Sequence, residues 1–190
     1  MGKRSEFVVS IADLPRQEGA QRQYSFTFSA PAGIGVDLLK VPQGAPITTE
    51  ITLESVREGV LVHGGVYTRA DGECARCLRP LERTVNEQIA ELVYYPQSLK
   101  ALIDNGADDT DELPMTDGDS IDLEPLIRDA IVLALPLQPL CQPQCRGLCP
   151  ECGERWDDLP EDHHHEHFDP RFSALDELAA RLAAEEGDNV

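Results

Sequence analysis

The chain has 190 residues, 41% of them hydrophobic, so it is long enough to bury one substantial core. Its 35 acids against 16 lysines and arginines give a formal net charge of −19. That balance argues against free nucleic acid as a ligand of the whole surface, because such binding depends on neutralising phosphates. It favours a basic protein partner or binding through one local basic patch, while solubility alone is the other explanation.

The N-terminal region carries no sign of export. Residues 1–6 are followed by only a short apolar run, unlike a signal peptide, and no apolar stretch approaches the ~20 residues that cross a bilayer. We therefore expect a cytoplasmic protein whose cysteines are not joined in disulfides. Residues 7–11 and 24–28 are predicted as strands, and the Pro/Gly-rich residues 31–46 as a loop with short extended pieces.

From residue 47 the sequence predicts an antiparallel β-meander. Apolar and polar residues alternate with a period of two over residues 47–54. Residues 60–70 and 81–95 are predicted as two further strands. Each has one set of residues on a common face, namely Val60, Val62, Val66 and Ala70 in the first and Val85, Ile89, Val93 and Tyr95 in the second. Hairpin turns are predicted at Glu58-Gly59 and at Asp71-Gly72.

Residues 123–135 contain the best helical pattern of the chain, with apolar residues at i, i+3, i+4, i+7 and i+8. Asp122 or Ser120 can cap the start of this helix, and Pro136 ends it. We expect the helix to cover the apolar face of the meander. The predicted fold class is therefore α+β, an antiparallel β-meander covered by an amphipathic helix, with a zinc-ribbon-like cysteine cluster.

Two acidic stretches frame the predicted domain organisation. Residues 97–120 and 157–169 are rich in Asp and Glu and are predicted as solvated loops. We expect one α+β domain over residues 1–156, which includes the cysteines. Residues 157–190 would form an acidic, His-rich linker and a C-terminal helix over residues 174–184.

Six cysteines indicate a metal site. The first two lie in Cys-Ala-Arg-Cys and the last two in Cys-Pro-Glu-Cys-Gly, and thiolates at the ends of such tight turns converge on one tetrahedral ion, usually Zn²⁺. The predicted ligands of a structural zinc ion are Cys74, Cys77, Cys149 and Cys152. Two alternatives remain open, namely the first pair with Cys141 and Cys145, or a local site from the four downstream cysteines.

Charged residues near the cysteines have two interpretations. Arg76, Arg79 and Arg83 either offset the negative charge of a metal–thiolate centre or form a contact patch for RNA or an acidic partner. The tract His163, His164, His165 and His167 can bind a transition metal, but a histidine tract among acids is more often a solvated linker.

Three cysteine- and helix-containing segments together resemble the YceD family, which is named for large ribosomal RNA subunit accumulation. They are Cys-Ala-Arg-Cys-Leu-Arg-Pro at 74–80, residues 121–136, and Cys-Gln-Pro-Gln-Cys-Arg-Gly-Leu-Cys-Pro-Glu-Cys-Gly at 141–153. The likeness extends over residues 45–156 and to residues 169–175. It implies a bacterial cytoplasmic protein, or an organellar relative, that large-subunit ribosomal RNA needs in order to accumulate. It also implies a family without an established enzymatic activity, whose members vary in how many cysteines they keep.

We therefore expect a non-catalytic ribosome biogenesis factor that binds a large-subunit ribosomal protein or an assembly intermediate, with ribosomal RNA as a possible contact. The sequence contains no Gly-rich phosphate loop, Gly-x-Ser-x-Gly or His-Glu-x-x-His, and an all-cysteine metal site leaves no open position for substrate. The alternative from another class is a thiol-based redox sensor or oxidoreductase that uses the Cys-x-x-Cys pairs. A chaperone dedicated to one ribosomal protein is a third possibility.

Overall fold

A computed structural model describes residues 6–106, 110, 113–165, 175 and 178. The chain divides into two units, residues 1–145 and 146–190. The predicted domain boundary at residue 156 stays a prediction. The predicted C-terminal helix lies outside the described residues, except for Leu175 and Leu178, which are helical and exposed.

The first unit is built on a six-stranded antiparallel sheet. Its strands are β2 (Gln21–Ser29), β3 (Gly35–Val36), β4 (Leu39–Lys40), β5 (Pro46–Ser55), β6 (Gly59–Glu73) and β7 (Pro80–Tyr94). The sheet has the order β2-β5-β6-β4-β3, and β7 pairs with β6 along the whole length of both strands. The predicted meander therefore corresponds to β5, β6 and β7.

The buried positions of the meander alternate strictly on β5 and are sparser on the other two strands. Side chains at most 6% exposed include Ile47, Thr49, Ile51 and Leu53 on β5, Val60, Val62, Val66 and Ala70 on β6, and Val85, Ile89 and Val93 on β7. On β7 the buried side chains recur every fourth residue, and Glu87 and Glu91 between them are exposed. Because residues an even number apart on a strand point to the same face, the buried side chains of each strand share one face. This buried face anchors the hairpin that carries the first cysteine pair.

The hairpin turn predicted at Asp71-Gly72 is wrong. Strand β6 continues to Glu73, which pairs with Pro80 of β7. Gly72 lies where the backbone of Leu38 approaches, and a Cβ at this position would collide with the Leu38 carbonyl oxygen. The glycine therefore allows two backbones to approach closely, and the chain reverses instead in the cysteine pair itself.

A second, two-stranded sheet places the major helix. Strand β1 (Val8–Ser10) pairs antiparallel with β8 (Ser120–Asp122), immediately before helix α2 (Glu124–Ala134). The Asp122 carboxylate accepts a hydrogen bond from the Glu124 N–H at 3.0 Å, so the predicted capping residue does bond the first turn.

Helix α2 contributes Leu126, Ile127 and Ile131 to the same buried cluster as the strands of the meander. Ala130 and Ala134 pack against this cluster, so the helical pattern marks the buried side of α2. That the helix covers the meander as a whole stays a prediction.

The predicted acidic loop 97–120 is wrong at its start. Residues Pro96–Asp104 form helix α1, with the proline in the first turn, where its missing N–H leaves no hydrogen bond unmade. Residues 97–103 contain only one charged side chain, Lys100, so the acids begin where this helix ends. Within the described residues, no helix is long and apolar enough to span a membrane.

Candidate metal centres

The tip of the β6–β7 hairpin is a cysteine knuckle. The Cys74 N–H donates to the Arg79 carbonyl at 2.9 Å, and the Leu78 N–H donates to the Cys74 carbonyl at 3.0 Å. Leu78 adopts a φ of 56°, a left-handed conformation that is rare for a leucine. This tight reversal points the thiols of Cys74 and Cys77 inward, and both side chains are at most 2% exposed.

The exit from helix α2 brings a second pair of thiols to this knuckle. The Cys74 Sγ lies 3.7 Å from the Cys145 Sγ, and the Cys77 Sγ lies 3.6 Å from the Cys141 Sγ. All four sulfurs lie within 4.8 Å of one another. In a tetrahedral site with metal–sulfur bonds of about 2.3 Å, two sulfurs are about 3.8 Å apart. The four-cysteine group therefore fits a tetrahedral metal ion.

The surroundings shift the pKa values of two of these thiols in opposite directions. Burial raises the pKa of Cys74, but the backbone N–H groups of Cys77, Arg76 and Cys141 outweigh this effect and lower it to about 6. Burial and hydrogen bonds to the thiols of Cys77, Cys145 and Cys74 raise the pKa of Cys141 to about 12. Four thiolates this close repel one another, so full deprotonation requires a cation among them.

Hydrogen bonds that do not involve the sulfur atoms also join the first knuckle to the segment that follows α2. The Ala75 N–H donates to the Pro139 carbonyl at 2.8 Å, and the Arg76 Nη1 donates to the Cys145 carbonyl at 2.9 Å. Of the three arginines predicted as contacts, Arg76 thus supports the cysteine group. Arg83 is exposed on β7, and Arg79 is partly exposed at the end of the knuckle.

The second unit contains a knuckle with the same hydrogen bonds. The Cys149 N–H donates to the Glu154 carbonyl at 2.7 Å, and the Gly153 N–H donates to the Cys149 carbonyl at 2.9 Å. Gly153 has a φ of 74°, in the position that corresponds to Leu78. The backbone N–H groups of Cys152 and Glu151 lower the pKa of Cys149 against the effect of its burial.

Two histidines complete this second group. The Cys149 Sγ lies 3.4 Å from the His165 Nε2, and the Cys152 Sγ lies 3.6 Å from the His163 Nε2. All four donor atoms lie within 4.8 Å of one another. Two cysteines and two histidines at this spacing can hold a metal ion.

The structure thus groups the cysteines differently from the first choice made on the sequence. Cys74 and Cys77 are grouped with Cys141 and Cys145, while Cys149 and Cys152 are grouped with His163 and His165. The geometry favours the alternative in which Cys141 and Cys145 complete the first knuckle, and which atoms ligate a metal stays a prediction.

Sequence reasoning allowed the histidine tract to bind a transition metal but did not group His163 and His165 with Cys149 and Cys152. The alternation His-x-His downstream of a Cys-Pro-x-Cys-Gly knuckle was the available signal, because it repeats one donor type on one side of an extended segment. The surrounding acids made the tract resemble a solvated linker instead.

Comparison with known proteins identifies the family. The profile of the family described as large ribosomal RNA subunit accumulation protein YceD matches residues 62–179, which include both cysteine groups. An uncharacterized protein of Mycobacterium tuberculosis is 42% identical over 177 residues, which are 92% of this chain and 82% of that protein. The uncharacterized protein YlbN of Bacillus subtilis is 32% identical over 69 residues, covering 36% of this chain and 40% of that protein. No solved structure matches significantly.

Proposed function

Because the chain belongs to the YceD family, we propose that it is a cytoplasmic, non-catalytic ribosome biogenesis factor that supports the accumulation of large-subunit ribosomal RNA. The observation that carries this proposal is the family match over residues 62–179. The mycobacterial relatives are described as uncharacterized, so the family description is the source of the biological role.

The four-cysteine group would serve this function as a structural zinc site. Four thiolate donors are typical of structural zinc, because a closed tetrahedral shell leaves no position for water or substrate. A bound zinc ion would join the β6–β7 hairpin to the segment after α2. Three of the four cysteines are buried, which fits an ion that is retained rather than exchanged.

The surface charge favours a basic partner. The net charge of −19 attracts basic surfaces, and ribosomal proteins as a class must be basic enough to neutralise RNA phosphates. On β7 the side chains of Glu82, Glu87 and Glu91 are exposed, as are those of Asp117 and Asp119. We therefore expect the partner to be a large-subunit ribosomal protein or an assembly intermediate that contains one.

Depletion of the protein from its host tests the biological role. We expect less mature large-subunit ribosomal RNA relative to small-subunit RNA, with free large subunits reduced in sucrose-gradient profiles. Re-expression of the intact chain should restore the ratio. An unchanged ribosome profile after complete depletion would refute the proposal.

The contact surface can be tested separately by affinity purification with and without nuclease. Arg83→Glu changes an exposed side chain near the first knuckle, and Arg22→Glu on β2 is the matched control with the same change in charge. We expect Arg83→Glu to lower RNA recovery and Arg22→Glu to leave it unchanged. Equal recovery for the two variants would remove Arg83 from the contact surface, and a nuclease-resistant basic partner would identify the protein-binding mode.

The redox alternative makes a different prediction for the same sulfurs. A lowered pKa is expected for a reactive thiol and for a metal thiolate alike, but a redox pair needs two sulfurs whereas the structure assembles four. Protein purified under reducing conditions should contain tightly bound zinc and react slowly with a thiol reagent. Metal-free protein with two rapidly reacting thiols would favour the redox function.

A further inference from the structure

We propose that Cys149, Cys152, His163 and His165 bind a second zinc ion, and that this ion folds residues 146–165. The proposal concerns the second unit by itself and is independent of the role in ribosome biogenesis. It predicts two metal ions per chain, one in each group.

The distances between the donor atoms fit a tetrahedral zinc site. In a tetrahedral site with Zn–S bonds of about 2.3 Å and Zn–N bonds of about 2.0–2.1 Å, a sulfur and a nitrogen lie about 3.6 Å apart. The two measured sulfur–nitrogen distances are 3.4 and 3.6 Å. Two donor pairs that are 16 and 11 residues apart in the sequence thus reach tetrahedral spacing together.

The backbone of the second knuckle has the same hydrogen bonds as that of the first. In both knuckles, the N–H of the first cysteine bonds the carbonyl five residues later, and the N–H four residues later bonds the carbonyl of the first cysteine. The residue after the second cysteine has positive φ in each, 56° at Leu78 and 74° at Gly153. A turn whose thiols converge on one point therefore occurs twice in this chain.

The histidine segment supplies both remaining donors from one side. Residues 163–165 form no helix or strand. The rings of His163 and His165 both reach the thiols of the knuckle, and their centroids are 4.6 Å apart. The ring of His164 instead has its Nδ1 2.8 Å from the Asp162 carbonyl oxygen.

The burial of side chains in this segment shows why an ion is needed. Among residues 146–165, all of which are described, only Gly147 and Cys149 are buried. No hydrophobic core offsets the entropy of ordering these residues, and segments of this size ordinarily depend on disulfides or metals. The cysteines are free, so a metal is the remaining source of stability.

The donor set determines the chemical class of the ion. Two thiolates and two neutral imidazoles complete a tetrahedral shell around Zn²⁺, and the site including the ion has zero net charge. This is the composition of a structural zinc site. Cys152 and His165 are exposed and His163 is half-buried, so a chelator can reach this group more easily than the buried four-cysteine group.

Metal analysis of the tag-free full chain tests the stoichiometry. We expect two zinc ions per chain in the intact protein and one in His163→Asn/His165→Asn and in Cys149→Ser/Cys152→Ser. The matched control His164→Asn should retain two ions, because its ring does not belong to the group. One ion in the intact protein, unchanged by the His163→Asn/His165→Asn substitutions, would overturn the proposal, as would a Cys149–Cys152 disulfide in place of metal.

Fluorescence of the single tryptophan tests the folding step. Trp156 contacts the ring of His163 edge-on with centroids 5.5 Å apart, and the Arg146 guanidinium lies 5.1 Å from its ring centroid. We expect chelation of one zinc ion by EDTA to shift the Trp156 emission to that of a solvated indole, and added zinc to reverse the shift. Loss of one ion from this group with unchanged emission would overturn the claim that the ion folds the segment.

Discussion

The two cysteine knuckles have the same backbone and different surroundings. The first lies at the end of two 15-residue strands whose inner faces are buried, and its thiols meet two more from the end of a packed helix. The second lies in a segment in which only Gly147 and Cys149 are buried. If both groups bind zinc as proposed, the ion joins two segments of a fold that already has a core in the first unit, and it takes the place of a core over residues 146–165 in the second.

This difference has consequences for the donor atoms. The four sulfurs of the first group come from distant parts of the sequence, 71 and 64 residues apart, so the fold of the first unit must bring them together. The donors of the second group are all found within 17 consecutive residues. Metal binding can therefore precede folding in the second group, whereas folding must largely precede binding in the first.

The largest effect is expected when metal is withdrawn from the second group. Structural zinc contributes apparent free energies of about 10–16 kcal/mol in zinc-finger peptides, and a segment without a core has nothing that replaces it. In His163→Asn/His165→Asn, native-state hydrogen exchange should therefore lose all protection over residues 146–165. The strands β5, β6 and β7 should keep their protection in the same sample.

The matched substitution His164→Asn is the control for this measurement. It removes a histidine from the same tract without removing a donor, so protection over residues 146–165 should remain. Retained protection in the variant that lacks both donors would show that the two groups do not differ in the way proposed.

A smaller effect is expected from the first group. In the chain-entropy treatment, closing a loop of about 70 residues stabilises a fold by about 4 kcal/mol. Cys141→Ser/Cys145→Ser should release one zinc ion and lower the free energy of unfolding of the first unit by about this amount. Denaturant titration followed by far-ultraviolet circular dichroism measures it, and the native spectrum of the sheet should persist. An unchanged midpoint would show that the group is not a staple.

The residues of the core could be predicted from the sequence because the spacing of apolar residues within one strand indicates which of its side chains are buried. The alternation along β5 and the common-face residues of β6 and β7 depend only on neighbouring positions, and the buried side chains of Ile51, Val66 and Val93 follow these patterns. The helical pattern of α2 is local in the same sense. The pairing between β1 and β8 was not predictable, because these short strands lie more than 100 residues apart. The sequence of a three-residue strand does not indicate which other strand it pairs with.

The candidate sites were only half predictable for a related reason. The knuckles are local, so Cys-Ala-Arg-Cys and Cys-Pro-Glu-Cys-Gly could be recognised from spacing alone. Which second pair completes each knuckle depends on where the chain goes afterwards. The segment after α2 brings Cys141 and Cys145 to the first knuckle, and residues 163–165 return to the second. Spacing rules do not encode either path.

The side chain of Arg76 supports the first cysteine group and not the second. Its Nη1 donates to the Cys145 carbonyl at 2.9 Å, and a hydrogen bond from a charged donor stabilises by about 1.5–3 kcal/mol when well buried. Since the bond is only partly buried, Arg76→Ala should lower the free energy of unfolding by about 1 kcal/mol. Arg22→Ala, at an exposed position on β2, should change it by less than about 0.5 kcal/mol. Equal changes for Arg76→Ala and Arg22→Ala in denaturant titrations would show that Arg76 contributes only its surface charge, and that its hydrogen bond to Cys145 adds no stability.

The smallest effect concerns the residue after the second cysteine of each knuckle, where the two groups differ by one side chain. A left-handed conformation costs a non-glycine residue about 1–2 kcal/mol, and Leu78 adopts it while half of its side chain is exposed. Leu78→Gly should therefore raise the stability of the first unit by about 1 kcal/mol, after the added flexibility of glycine in the unfolded chain is allowed for. Gly153→Ala should lower the zinc affinity of the second group about fivefold, since about 1 kcal/mol of strain enters a segment that folds with its metal. Denaturant titration and zinc competition with a chromogenic chelator measure the two changes. If Leu78→Gly destabilised the first unit instead, its side chain would have a packing role that outweighs the strain, and the two knuckles would not be equivalent.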